Sequence, residues 1–197
     1  CIRDRMTCVV FSQYHYTMSK DLGYNMERLA SVYDSYEHVD NTLSLLHNLP
    51  YVEGAATAEA GMLGFPSPYP VNDNSGNMIF SPRLTFFDRE FFNFIGMRLK
   101  TGKAPTAEGE ILVNEEFVRA MKWDNNGVGE YVPEHGTVTG ILDGLRFIDA
   151  AQMEPVEIRW SSGRGNVMHV RLKEPFDDNL KRLNEEMKKL YPQDNVQ

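Results

Sequence analysis

Both ends of the chain carry the same kind of unit, a short strand beside an amphipathic helix. Near the start, residues 27–34 and 52–60 read as strands, and the stretch between them places apolar residues on one helical stripe: Val39, Leu43, Leu46 and Leu49. Near the end, the strand NVMHVRL is followed by apolar residues at helical spacing: Phe176, Leu180, Leu183, Met187 and Leu190. Because the two units are similar in style and size, we infer that they pack together.

The middle of the chain interrupts this pattern. The run GFPSPYPVNDNSGN, residues 64–77, contains three prolines and several turn formers, so it marks a boundary. The predicted fold class is therefore mixed α+β, with a split α/β subdomain formed by 1–63 and 165–197 and an inserted mixed subdomain formed by 64–164. We expect this arrangement to bring both chain ends to one side.

Local signals predict the elements in more detail. Ser35, Asp88 and Asn114 are predicted helix N-caps, because each precedes an apolar run. Strands are predicted from Met78 through Phe86 and at 97–100, 110–113 and 136–142. The segments PVEIRW, SSGRGN and NVMHVRL predict a hairpin in which the Gly-Arg-Gly stretch forms the turn.

Composition excludes several classes of function. The net charge of −8 argues against binding a phosphate backbone, so we expect no nucleic-acid partner. No apolar run approaches the roughly 20 residues that span a bilayer. Cys1 and Cys8 fit no metal-ligand spacing. Cys1 is either the lipid-bearing first residue of a mature lipoprotein or a cut end, and we favour the cut end.

Catalytic and cofactor motifs are not recognisable. Lys103 is followed by Ala104, where a phosphate loop needs Ser or Thr, and the glycine spacing is also wrong. The neighbouring acids are expected to lie on a solvated face or at a helix start: Glu108, Glu110, Glu115 and Glu116. Asp143 and Asp149 form a carboxylate pair that would suit a hydrolase, but both positions read as turns or strand ends. We expect no catalytic residue, no cofactor and no metal.

The histidines do not predict a site either. His38 and His47 are nine positions apart, which places them on opposite sides of one helix, so they cannot share a metal. His135 lies in a predicted turn, and His169 points with Arg171 to the face of its strand opposite the apolar set. Solvated histidines are the expected outcome.

A dense aromatic group occupies residues 86–94. Its members are Phe86, Phe87, Phe91, Phe92 and Phe94, and we expect most of them to be core. One short helix cannot bury all five rings, so some of them are candidates for contact with a partner or substrate.

An ordered series of segments resembles a known family. The segments include DLGYNMERL (21–29), LHNLPYVEGAATAEA (46–60), FFNFIGMRLKTGKAP (91–105) and EILVNEEFVRAMKW (110–123). NNGVGE, TVTGILDGLRF and LKRLNEEMKKLYPQ continue the series, so nearly the whole chain is covered. The series is similar to the MacB-like periplasmic core domain of FtsX-type ABC transporter permeases. The turn at 126–129 lacks the proline often seen there, and Gly144 stands where members frequently carry an acid.

The resemblance implies an architecture and a set of partners. The split unit would be a porter-like subdomain with an N-terminal stalk at 1–22, and the insertion would be a sabre-like subdomain. Partners would be the transmembrane helices of the permease and a cytoplasmic ATPase subunit, with room for a second copy of the permease and for a periplasmic partner. The chain would then be the periplasmic part of an inner-membrane protein, with about one apolar span before it and about three after it.

The implied function is mechanical. The domain would transmit ATP-driven motion of transmembrane helices to work in the periplasm, namely efflux, lipoprotein extraction or response to an antibiotic peptide. Contact residues for a partner or substrate would lie in the insertion: Phe65, Tyr69, Phe86, Phe87, Phe91 and Phe94. The alternative from another class is a free-standing periplasmic binding lipoprotein anchored through Cys1.

Overall fold

The computed structural model describes residues 22–33, 38–58, 67–73, 75–145, 153–161 and 165–190. Its strands are β1 (Leu29–Tyr33), β2 (Val52–Ala58), β3 (Val71–Asn72), β4 (Met78–Phe80), β5 (Arg83–Phe87), β6 (Leu99–Gly102), β7 (Glu110–Asn114), β8 (Tyr131–Val132), β9 (Gly136–Leu142), β10 (Val156–Trp160) and β11 (Val167–Leu172). Its helices are α1 (Val39–Asn48), α2 (Arg89–Phe94), α3 (Glu115–Ala120) and α4 (Phe176–Leu190). The mixed α+β class is confirmed.

The smaller main sheet is built from both ends of the chain. Its strand order is β1-β11-β2, and both pairings are antiparallel, with Leu29 opposite Arg171 and Val167 opposite Ala58. Helices α1 and α4 contribute apolar side chains to the same core cluster as this sheet, including Leu46 and Leu183. The inference that the two ends pack together is therefore confirmed.

The prediction that both chain ends emerge on one side concerns residues beyond the two described ends. Residues 1–21 and 191–197 lie outside the described residues, so their emergence on one side stays a prediction. Helix α4 ends at Leu190, which lines a pocket with His38, Asn41 and Thr42 near the start of α1. Strand β1 begins instead beside the end of β11, at the Leu29–Arg171 pair.

The larger sheet is built from the middle of the chain. Its strand order is β5-β10-β7-β9-β6, with β8 added on β9. Strand β10 pairs in parallel with β5 and antiparallel with β7, whereas β11 belongs to the other sheet. The predicted β10–β11 hairpin is therefore wrong. A glycine-rich connection predicts a turn between two strands, but the choice of partner strand is decided by burial, which a local pattern does not reveal.

The predicted helix starts are confirmed at two of three positions. The side chains of Asp88 and Asn114 accept hydrogen bonds from the backbone N–H groups of Phe91 and Phe117, as N-caps do. The first helix begins later than predicted, with His38 at its N-cap position and no side-chain cap bond. Ser35 lies outside the described residues and is not the N-cap.

Two strand predictions also change. The stretch from Met78 to Phe86 forms two strands, β4 and β5, which are separated at Ser81 and Pro82. Proline has no backbone N–H to donate, so a continuous ladder is not possible there. The strand predicted at 97–100 is shifted by two residues to Leu99–Gly102.

A shared core joins the two main sheets. Ala56 and Ala58 of β2 lie in one cluster with Phe87, Phe91 and Ile95 from the middle of the chain. A further cluster lies between β3, β7, β8, β9 and helix α3, and it contains Val71, Ile111, Val113, Phe117, Val132, Val138 and Ile141. Because apolar side chains of the two sheets interdigitate, separating the sheets would expose buried surface.

Glycine 102 ends β6 at a close approach between backbones. Its φ is +83°, and a Cβ built there would lie 2.3 Å from the carbonyl oxygen of Thr139. Gly109 has nearly the same φ, +80°, but a Cβ there would meet nothing within 4 Å. Alanine substitutions at Gly102 and Gly109 therefore separate the cost of a left-handed backbone conformation from the cost of a clash with Thr139.

We expect Gly109→Ala to lower the free energy of unfolding by about 1–2 kcal/mol, the cost of a left-handed conformation for a residue with a Cβ. Gly102→Ala adds a backbone clash, so it should cost at least about 2 kcal/mol more. Denaturant unfolding of the two variants measures the difference. Equal losses would show that the β6–β9 approach is not as tight as described.

Candidate functional site

Arg171 connects the smaller sheet to the inserted segment. It lies on β11, and only 7% of its surface is exposed. Its guanidinium donates to the carbonyl oxygens of Glu27 at 2.6 Å, Asn25 at 3.2 Å and Phe94 at 3.3 Å, and it lies over the Phe94 ring at 5.3 Å. Phe94 ends helix α2 of the inserted segment, whereas Glu27 and Asn25 precede β1. One side chain therefore fastens three parts of the chain.

The segment 22–27 completes this connection. The backbone N–H of Asn25 donates to the carbonyl of Ile95 at 2.8 Å, and that of Arg98 donates to the carbonyl of Gly23 at 3.3 Å. Leu22 and Tyr24 are buried in the shared core. We call the segment 22–27, helix α2 and Arg171 together the joint.

Burial shapes the electrostatics of the joint. Desolvation lowers the pKa of Arg171 from its ordinary value, and the carboxylate of Glu53 acts in the opposite direction. A guanidinium still stays charged under these conditions. Three carbonyl oxygens accept hydrogen bonds from the guanidinium, and these bonds favour its positively charged form. Arg28, in contrast, stays within the smaller sheet: it pairs with Glu53 at 2.8 Å and donates to the carbonyl of Leu172 at 2.8 Å.

His169 lies two residues before Arg171, on the same face of β11. It is 1% exposed, its Nδ1 is 3.1 Å from the hydroxyl of Ser31, and its ring centroid is 5.0 Å from that of Phe91. Burial lowers the pKa of His169 to about 3, so the ring is neutral at physiological pH. The prediction of a solvated histidine is wrong, because helix α2 and the shared core cover this face of the strand.

A second polar cluster lies within the insertion. Glu157 of β10 is fully buried, and its carboxylate is 2.5 Å from Nδ1 of His135 and accepts from Nε of Arg159 at 2.7 Å. Nε2 of His135 is 3.1 Å from the carbonyl oxygen of Pro70. The ring of Tyr69 contacts both Arg159 and His135, with its centroid 4.6 Å from Cζ of Arg159 and 5.1 Å from the centroid of the His135 ring. His135 is 5% exposed, so its predicted solvation is wrong as well.

The predicted contact residues do not form one surface. Tyr69 is 36% exposed at the Glu157 cluster, whereas Phe94 is half-buried at the joint and Phe86 is half-buried on β5. Phe87 and Phe91 are buried at 1% and 0% exposure, so neither presents a surface to a partner. The sequence pattern favours partner contact because one short helix cannot bury five rings, but Phe87 and Phe91 are buried in the core that the two sheets share.

Phe65 lies outside the described residues. Sequence reasoning also missed the most connected polar residues, Arg171, Glu157 and Arg159. The available signal was a charged residue inside a strand of otherwise apolar character, in the segments VEIRW and MHVRL. Such a charge needs partners if it is buried, and this requirement points to a connection.

Other candidate chemistry is accounted for by structural contacts. Asp143 pairs with Arg98 at 3.5 Å, and Asp149 lies outside the described residues. Glu110 accepts from the backbone N–H of Thr106 at 2.5 Å, which lowers the pKa of that carboxyl. Within the described ranges, no group of three metal-ligating side chains is present, and no helix has the length and apolar character to cross a bilayer.

Solved structures share this architecture. The periplasmic region of MacB from Actinobacillus actinomycetemcomitans matches with a TM-score of 0.54 at 13% identity, over 84% of this chain and 85% of that one. The extracellular domain of the noncanonic ABC-type transporter YknZ from Gram-positive bacteria matches with a TM-score of 0.52 at 9% identity, over 77% of this chain and 80% of that one. The chain has the fold of the MacB periplasmic region.

A third solved structure also matches this chain. It is a domain of a protein described as a permease, from Porphyromonas gingivalis, with a TM-score of 0.50 at 16% identity, over 77% of this chain and 75% of that one. No family model and no curated protein sequence matches the chain. The likeness therefore rests on the MacB-type arrangement of strands and helices and not on sequence identity.

The buried His169 makes stability depend on pH. Its pKa is lowered in the folded state, so the unfolded chain binds a proton that the folded chain does not bind. Stability is therefore fully present above about pH 6.5 and decreases as the pH falls toward about 3. His169 alone would account for a loss on the order of 5 kcal/mol over this window.

We expect His169→Asn to flatten this acid dependence, because asparagine does not titrate and its Oδ1 can still accept from Ser31. Denaturant unfolding at a series of pH values gives the slope for each protein. His47→Asn is the matched control, since His47 is exposed on helix α1. An acid slope that stays unchanged in His169→Asn would contradict the assignment.

Proposed function

We propose that the chain is the extracytoplasmic, non-catalytic domain of an ABC transporter permease. The observation that carries the proposal is the fold: the matching structures are periplasmic or extracellular regions of MacB and YknZ, and each match covers more than three-quarters of this chain. ATP hydrolysis belongs, on this proposal, to a separate cytoplasmic domain or subunit. The domain lies on the periplasmic side of an inner-membrane protein, and the permease helices flank it in sequence.

The arrangement of the sheets suits a part that transmits motion. The smaller sheet takes β1 and β2 from one end of the chain and β11 from the other, so displacement of either flanking segment acts on the same sheet. The joint then couples this sheet to the insertion through Arg171 and the shared core. On this proposal the work done outside the membrane is efflux, lipoprotein extraction or response to an antibiotic peptide.

We further propose the division into two subdomains. The porter-like part comprises 1–63 and 165–197, with a stalk at 1–22, and the sabre-like part comprises 64–164. The two separate main sheets support this division, because each takes its strands from one of these parts. Contact with a partner or substrate is assigned to the insertion, where Tyr69, Phe86 and Phe94 keep part of their surface exposed.

Arg171→Met in the intact permease tests the coupling. Methionine fills similar space but cannot donate to the three carbonyls, so the joint is weakened while its apolar packing is kept. The reporter is Met78→Cys, at an exposed residue of the insertion, which is assayed for a disulfide between two copies of the permease. We expect trapping to depend on ATP in the otherwise unchanged protein and to lose this dependence with Arg171→Met.

The matched control is Arg28→Met, because Arg28 also donates to a backbone carbonyl but does so within the smaller sheet. It should retain ATP-dependent trapping. Denaturant unfolding checks that both variants remain folded; we expect Arg171→Met to lower the free energy of unfolding by about 2 kcal/mol. If the disulfide yield is the same with and without ATP in the protein that keeps Arg171, the result would count against transmission of motion. It would favour a binding lipoprotein anchored through Cys1.

Photocrosslinking tests the contact surface. A photoreactive phenylalanine analogue at position 69 should form adducts with a periplasmic partner or substrate in intact cells, because Tyr69 is a partly exposed aromatic residue held by Arg159 and His135. The same analogue at position 131 is the control, since Tyr131 is more exposed, at 67%, but lies outside the proposed set. Equal adduct yields at both positions would remove the special role of Tyr69.

A further inference from the structure

The segment 67–70, which we call the strap, lies along the outer edge of β5. The backbone N–H of Tyr69 donates to the carbonyl of Pro82 at 3.0 Å, and that of Leu84 donates to the carbonyl of Ser67 at 3.1 Å. The strap leads directly into β3 and so into the β3–β4 hairpin. Whatever holds the strap therefore also fixes the start of that hairpin.

His135 contacts the strap through a hydrogen bond whose direction is fixed. Its Nε2 is 3.1 Å from the carbonyl oxygen of Pro70. A carbonyl oxygen only accepts hydrogen bonds, so Nε2 must carry a hydrogen for this contact to be favourable. The other ring nitrogen, Nδ1, is 2.5 Å from a carboxylate oxygen of Glu157.

These contacts require two protons in the His135–Glu157 pair. If Glu157 is ionised, Nδ1 must also carry a hydrogen, and the ring is an imidazolium. If Nδ1 carries none, Glu157 must be protonated and must donate to it. With a single proton, either the Pro70 carbonyl loses its donor or a nitrogen lone pair faces a buried carboxylate, and both arrangements are costly inside a protein.

One further charged group contacts the pair. Arg159 donates to the other oxygen of Glu157 at 2.7 Å, so two cations share one carboxylate when His135 is charged. The Tyr69 ring lies against both of them. Among the described residues, no other ionisable group has a hydrogen bond or ion pair with His135 or Glu157. Arg159 and His135 therefore contact different oxygens of the same carboxyl group.

We propose that His135 and Glu157 form a proton-dependent latch that holds the strap. With two protons the latch is closed, and Nε2 of His135 donates to the carbonyl of Pro70. When one proton is lost to solvent, that hydrogen bond is lost, and the strap keeps only its backbone bonds to β5 and the contact between Tyr69 and Arg159. The latch stands on the geometry of the cluster and is independent of the proposed transport function.

The test follows the ring nitrogens of His135 by ¹⁵N NMR of the chain between about pH 6 and pH 10. We expect Nε2 to carry a hydrogen while the strap is closed, as its contact with the Pro70 carbonyl requires. The backbone amide signals of Tyr69 and Val71 should change together with any loss of a ring proton. His135→Gln assigns the ring signals, and His47→Gln, at an exposed position, is the matched control.

Glu157→Gln gives the sharpest second variant. A glutamine can accept from Arg159 through its oxygen and donate to Nδ1 through its amide, so a neutral His135 with hydrogen on Nε2 satisfies every partner. We expect the strap to stay closed and its amide signals to stop responding to pH. Strap signals that still titrate in a folded Glu157→Gln protein would overturn the latch.

Measurements on the unaltered chain decide the matter even if Glu157→Gln does not fold. A ring with hydrogen only on Nδ1 at neutral pH contradicts the proposal, because the Pro70 carbonyl would then have no donor. A ring that titrates while the Tyr69 and Val71 signals stay still removes the connection to the strap.

Discussion

A guanidinium can be buried only where hydrogen-bond acceptors surround it, and the acceptors of Arg171 come from distant parts of the chain. Two of them precede β1 and the third ends helix α2 in the insertion. Strand β11 can therefore be buried only if these segments converge on it. The same requirement holds the segment 22–27 between the two sheets, where Asn25 and Gly23 make backbone hydrogen bonds to the insertion. The fold depends on this convergence more than on any single apolar contact.

The sequence predicted those parts of the fold that follow from local signals. The apolar stripe of α4 predicts the burial of Leu180, Leu183 and Met187, which the structure confirms. The N-caps Asp88 and Asn114 predict the starts of two helices. The hairpin failed for a different reason. Strands β10 and β11 are adjacent in sequence and both are mostly buried, so alternation of polar and apolar residues could not show which sheet each one joins.

The polar residues of the candidate site were less predictable than the fold. A histidine or arginine in a short strand reads as solvated, because solvated histidines and arginines are the common case. His169 and Arg171 are buried because Phe91 and Phe94 of helix α2 lie against them, a contact between segments about 80 residues apart in sequence. Spacing along one strand contains no information about that distant helix. The apolar character of the neighbours Met168, Val170 and Leu172 was the only local sign of burial on both faces.

The two buried histidines, His169 and His135, differ in the groups that their ring nitrogens contact. His169 meets a hydroxyl and an aromatic ring, neither of which supplies a negative charge, so desolvation acts alone and the ring is neutral. His135 lies between a carboxylate and a carbonyl, and both of its nitrogens face acceptors. The same side chain is thus a neutral core residue against helix α2 and, on our proposal, a proton-dependent connection in the insertion. A change in the protonation of His135 would then act on the strap and leave the joint intact.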